Sequence, residues 1–141
     1  MAQAYEKTVH FDKRYPALVD GFERFYRGSQ FLINSKWKIP GFLFEPPTGN
    51  NYFDVFFAGM RLRFQMVATA LEDGSLLGTI YCLRITPKFK ELEDVIGSFT
   101  YNGQGITDFE VEENKDRIEI EHMAPEIIVN FINLALLKPL V

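Results

Sequence analysis

Asp54, Arg61, Arg63 and Arg84 are the residues of this chain whose types and spacing could do chemistry together. All four sit in runs that alternate like β-strands, Tyr52 to Phe57 and Arg61 to Thr86. Ala58-Gly59 and Asp73-Gly74 read as two-residue turns, and turns of that length fix which residues face each other. On that reading Asp54 lies opposite Arg63, Arg63 lies opposite Arg84, and Arg61 follows one step along, opposite Thr86. Three guanidiniums against one carboxylate leave about two positive charges over, and arginines placed face to face repel unless an anion joins them. The planar guanidinium fork grips a carboxylate or a phosphate with two hydrogen bonds. The row, with Tyr52 and Phe56 near Asp54, is therefore expected either to bind a small anionic or amphiphilic ligand or to be completed internally by Glu45, Asp108 or Glu110. Val67 opposite Ile80 and Thr69 opposite Gly78 extend the same face, which suits the wall of a pocket or a surface covered by another subunit.

Other reactive side chains give weaker patterns. His10 and His122 are far apart in the sequence, and neither has the spacing of a metal site, so no metal or cofactor is expected. His122, with Glu119 and Glu121, and Asp54 are the positions at which an acid or base would sit if the protein were an enzyme. Cys82 is the single cysteine, which excludes an internal disulfide, and it reads as a small half-buried residue opposite Gln65. No glycine-rich phosphate loop, nucleophile elbow or CxxC pattern occurs, and no catalytic residue is assigned.

The elements that must hold these residues can be taken in chain order. Tyr5 to Phe11 alternates weakly, as a short edge strand would. Leu18, Val19, Phe22, Phe25, Tyr26, Ser29, Leu32 and Ile33 recur at helical spacing and predict a long amphipathic helix over Pro16 to Ser35, with Pro16 in its first turn. Gly21 and Gly28 each cost that helix about 1 kcal/mol relative to Ala, so packing must supply its stability. Strands follow at Gly41 to Glu45 and Tyr52 to Phe57. The Arg61 to Thr86 hairpin pairs Ala70 with Leu77, Ala68 with Thr79, Met66 with Tyr81, Phe64 with Leu83 and Leu62 with Ile85, one almost wholly apolar face. Phe53, Val55 and Phe57 fall on the same face.

Phe89, Leu92 and Ile96 predict a short helix over Pro87 to Val95, capped by Thr86. Gly97 to Tyr101 and Gly105 to Val111 form a hairpin about Asn102-Gly103, and Arg117 to Ile120 adds a last strand. Ala124 to Lys138 closes the chain as a helix that is apolar almost all round, with Pro125 in its first turn. Such a helix needs two dry sides, one of which could be a dimer interface carrying Ile128, Phe131, Ile132 and Leu136. The whole is an α+β domain: an antiparallel meander of five or six strands with the long first helix and the apolar last helix packed on one face.

A single domain over residues 1–141 follows from the length, which is enough for a continuous core. No charged-then-apolar leader and no uninterrupted apolar run near ~18 residues is present, so a cytoplasmic protein without membrane contact is expected. Residues 1–38 carry seven Lys/Arg against four Asp/Glu, and the remainder eight against fifteen, so the net charge of −4 divides as +3 and −7. Asp108 to Glu121 holds seven carboxylates, a balance that disfavours nucleic acid and suits a solvated edge or a basic protein partner. Arg14 to Asp20, RYPALVD, resembles a short run in hot-dog dehydratases, but their HFPxxPxxPG segment is absent and the likeness implies no activity. The order of elements looks like that of small, acidic, dimeric secretion chaperones; that likeness is of architecture alone, covers no motif, and implies partner binding on sheet and helices. The leading expectation is a non-enzymatic, dimeric adaptor acting through protein contacts, ahead of a small-ligand binder using Arg61, Arg63 and Arg84, and of an enzyme.

Overall fold

Two helix-bearing ends and a sheet-forming middle give the order observed in the computed structural model, which describes residues 2–49, 51–87, 91–109 and 118–138. Helix α1 spans Ala2–Ser29 and α2 Phe31–Asn34; strands β1 Leu43–Glu45, β2 Tyr52–Phe57, β3 Met60–Ala70, β4 Leu76–Pro87, β5 Glu91–Tyr101, β6 Ile106–Thr107 and β7 Ile118–Glu119 follow, and α3 Ile120–Leu137 closes the chain. The strands lie in one sheet in sequence order, each antiparallel to the next. It is an α+β meander whose last two strands have only two residues each.

Both long helices pack on the same side of the sheet. The Phe25 ring of α1 lies 5.6, 5.9 and 5.4 Å from Phe53, Phe64 and Phe99, and the Phe131 ring of α3 lies 6.0 and 5.9 Å from Phe64 and Phe99. Leu18, Phe22, Val55, Leu62, Met66, Ile80, Ile127 and Ile128 complete a continuous core between the layers. Two glycines in α1 now have a packing reason. A Cβ on Gly28 would fall 2.0 Å from the Glu121 carbonyl oxygen, so the close approach of α1 to α3 at this point requires a glycine. Gly21 faces Gly78 of β4 across the Tyr101 ring, whose hydroxyl donates to the Leu18 carbonyl.

Tyr5 to Phe11 is helical rather than an edge strand, and α1 begins at Ala2 with Pro16 in its interior. Ala2, Ala4, Glu6 and Lys7 favour a helix more than the weak alternation favours a strand. Pro16 costs that helix one backbone hydrogen bond. The first helix also ends earlier than expected, at Ser29, with α2 as a separate turn. The short helix expected over Pro87 to Val95 is absent from its described part: Thr86 pairs with Leu92 and Pro87 with Glu91, so β4 and β5 continue through it. Leu92 and Ile96 stand four apart, a spacing that fits a strand as well as a helix; Phe89 lies outside the described residues. At the other end α3 starts at Ile120, with Pro125 inside it. The expected strand residues 110–111 and 117 also lie outside the described residues.

The β2–β3 register is as expected, Phe53 with Phe64, Asp54 with Arg63 and Val55 with Leu62, about a turn with Ala58 at φ 52° and Gly59 at φ 80°. The β3–β4 register differs by one residue. Leu71 N–H donates to Ser75 O at 2.9 Å and Gly74 N–H to Leu71 O at 3.0 Å, so the loop has three residues, with Gly74 alone at positive φ, 87°. The Asp73 carboxylate accepts from both the amide and the hydroxyl of Ser75, at 2.9 and 2.6 Å, which holds this longer turn. Phe64 therefore pairs with Cys82, Met66 with Ile80 and Leu62 with Arg84. The apolar pattern did not distinguish the two registers, because β4 is apolar on both faces. The Asn102-Gly103 turn lengthens in the same way: Asn102 and Ile106 bracket three loop residues, and Gly105 takes φ 80°.

Candidate functional site

The side of the sheet away from the helices carries the charged cluster. Asp54 of β2 and Arg63 of β3 are direct cross-strand partners, and Arg61 lies two residues back on the same face. Arg63 donates from Nε to Asp54 Oδ1 at 2.9 Å and from an Nη to Oδ2 at 3.1 Å; Arg61 donates from Nε and an Nη to Oδ2 at 2.8 and 2.7 Å. The Tyr52 ring lies 4.0 Å from the Arg63 guanidinium and the Phe56 ring 5.6 Å from that of Arg61. Asp54 is 1% exposed although it points to the open side. Burial alone would raise its carboxyl pKa, but the hydrogen bonds from Arg63 and Arg61, and their charges, win and hold it below the ordinary carboxylate value. A carboxylate so saturated is a poor proton acceptor.

Arg84 does not join this cluster. The three-residue loop turns it to the helix side, where it is 5% exposed and pairs in register with Leu62 rather than Arg63. There it donates to the carbonyls of Ala135 and Lys138, both at 2.9 Å, and to Asp94 at 3.3 Å, so it closes the C-terminus of α3. Cys82 is likewise in the core beside Phe64 rather than on the outer face, fully buried, and burial pushes its thiol pKa up. Of the expected row, Asp54, Arg61, Arg63 and Tyr52 come together and Arg84 is elsewhere.

The concavity beside the cluster, lined by Glu45, Thr48, Tyr52, Asp54 and Arg61, measures about 220 Å³. Small-molecule sites usually span ~300–1,000 Å³, so this one admits only a few heavy atoms. Around it the outer face is broad and half apolar. Leu43 (63% exposed), Val67 (46%), Tyr81 (38%) and Val95 (55%) stand on it, as their pairings with Phe56, Thr79, Gln65 and Leu83 require. Val95 was hidden from sequence reasoning by its place in the expected helix, and Tyr81 by the shifted register.

The last helix is resolved differently from the expected interface. Ile128, Phe131 and Ile132 are buried within the subunit against α1 and the sheet, and of the four candidates only Leu136, 51% exposed, is free to meet another molecule. Ile120–Leu137 is also long and apolar enough to cross a membrane by length and composition, with mean hydropathy 1.3. Sequence reasoning counted only uninterrupted apolar residues, and Glu121 and Glu126 interrupt this run. In the fold eight of its residues are buried, as in the core helix of a globular domain. His122 is exposed and lines an open groove with Glu119, Glu121 and Glu126, while His10 Nε2 lies 3.1 Å from the Gly74 carbonyl at the hairpin tip. Among the described residues no group of three or more His, Cys, Asp or Glu side chains could hold a metal ion.

No family model, curated protein or solved structure matches this chain. The likeness of element order to secretion chaperones thus has no structural match behind it and carries no function.

Proposed function

We propose that the protein is a non-enzymatic adaptor that pairs with a second copy of itself through the outer face of its sheet and works through protein contacts. The observation that carries this reading is the exposure of Leu43, Val67, Tyr81 and Val95 on one continuous sheet face. Apolar side chains gathered on one face mark contact surfaces more often than singly scattered ones do. Strands β3 and β4 run about 35 Å at ~3.3 Å per residue, and β2 to β5 span about 19 Å at ~4.8 Å per strand. The face therefore offers roughly 600 Å², near the ~800 Å² per partner of a standard interface. It also carries both charge signs, with Glu45 and Arg61 lining one concavity, so two copies related by a two-fold axis can oppose unlike charges.

The settings of Asp54 and Cys82 support the non-enzymatic part. Asp54 is held ionised by two arginines, and the Cys82 thiol is buried. A lone buried cysteine also fits a reducing cytoplasm. The alternative, a binder of a small anionic ligand beside Arg61 and Arg63, is limited by the 220 Å³ concavity to something of carboxylate or phosphate size.

Light scattering during size exclusion tests the proposal. Wild-type protein is expected at about twice the 16.3 kDa chain mass, and Val67→Lys near the chain mass itself. A wild-type mass of one chain at high micromolar concentration, or a dimer unchanged by both Val67→Lys and Tyr81→Lys, overturns it.

A further inference from the structure

On the helix side of the molecule, two concavities of about 700 and 350 Å³ share Phe31, Pro125 and Glu126 and so form one groove along α3. Its floor is apolar: Phe31 and Trp37, 47% and 67% exposed, with Pro125 and Val129. Its rim is acidic. Among the described residues Glu119 and Glu121 make only long ion pairs, 3.7 Å to Arg24 and 3.9 Å to Arg27, and Glu126 makes none. Surface pairs of this kind contribute little to stability, so the carboxylates can be taken over by incoming cations at little cost. From Glu121 to Asn133 the lining follows α3 for about 18 Å at 1.5 Å per residue, which is three helical turns.

We infer that this groove binds a basic amphipathic helix of about three turns from another protein, its apolar stripe on Phe31, Trp37 and Val129 and its Lys/Arg residues against Glu119, Glu121 and Glu126. Charge sign selects the partner: the three lining carboxylates oppose only Arg27 as a fixed positive charge on the same lining. An acidic or nucleic-acid ligand would meet repulsion there. The inference rests on the reading of the protein as an adaptor and gives it a second surface, distinct from the sheet face through which copies pair.

The test uses the full chain and a fluorescein-labelled 12-residue Lys/Leu peptide with helical spacing, followed by anisotropy, with a Glu/Leu peptide of the same pattern as control. The Lys/Leu peptide is expected to bind at least tenfold more tightly than the Glu/Leu peptide. Trp37→Ala and Glu126→Lys, both at exposed positions, are each expected to weaken it at least fivefold, while Val67→Lys leaves it unchanged. Equal binding of the two peptides, or binding insensitive to both groove substitutions, overturns the inference. Because Val67→Lys reports on pairing and the groove variants on the peptide, either proposal can fail without the other.

Discussion

Gly28 shows how a single residue can carry opposite signs in sequence and in structure. By helix propensity, Gly28→Ala should gain about 1 kcal/mol. The Glu121 carbonyl stands where the new methyl group would go, so the helices must separate, and overpacking of this kind costs about 1–3 kcal/mol. We expect Gly28→Ala to be destabilised in urea, and a stabilised variant would show that α1 and α3 do not cross there. At Asp54 the sign concerns pH. Its folded pKa lies below the unfolded value, so its contribution is fully present above about pH 4 and is lost as pH falls through the folded value. Asp54→Asn should therefore be less stable at pH 7, by about 1–3 kcal/mol, because Arg61 and Arg63 lose the carboxylate charge and one of its two acceptor oxygens. Its stability should also fall less than that of wild type on acidification below pH 4. Parallel acid limbs for the two proteins would show that Asp54 is not the depressed group.

Among the elements, the hairpins explain which parts of the fold were legible. Ala58-Gly59 is a two-residue turn, and the Asp54–Arg63 pairing that follows from it holds. Asp-Gly and Asn-Gly fit a two-residue loop equally well on paper. What decides here is the Asp73 and Asn102 side chains accepting from residues farther along, which favours the three-residue loop. That one residue moved Arg84 from the supposed anion row to the end of α3. In its observed place Arg84 ties the last helical turn to the sheet, so Arg84→Met should cost about 1–3 kcal/mol by removing its hydrogen bonds to the Ala135 and Lys138 carbonyls. Amide exchange should quicken over residues 132–138 and stay slow in β3. Uniform slowing or no change at the end of α3 would contradict the capping role.

At the scale of the molecule, the layers were legible and the uses of their faces were not. Most of the apolar surface of α3 is absorbed inside the subunit, since α1 covers one side and the sheet the other, while Leu134, Leu136 and Leu137 near its end stay exposed. A single sequence shows how much apolar surface a helix carries but not how many neighbours it has. The broadest face left over is the outer side of the sheet, where the apolar residues are spread over β1, β3, β4 and β5 and form no run. Hydroxyl-radical footprinting of the wild-type protein at high concentration and after dilution reads that face most directly. Leu43, Val67, Tyr81 and Val95 should be protected at high concentration and become labelled on dilution, while Leu137 and Trp37, 82% and 67% exposed, label equally in both. Equal labelling of the sheet face at every concentration, or protection at Leu136 and Leu137 instead, would contradict a sheet-to-sheet pair.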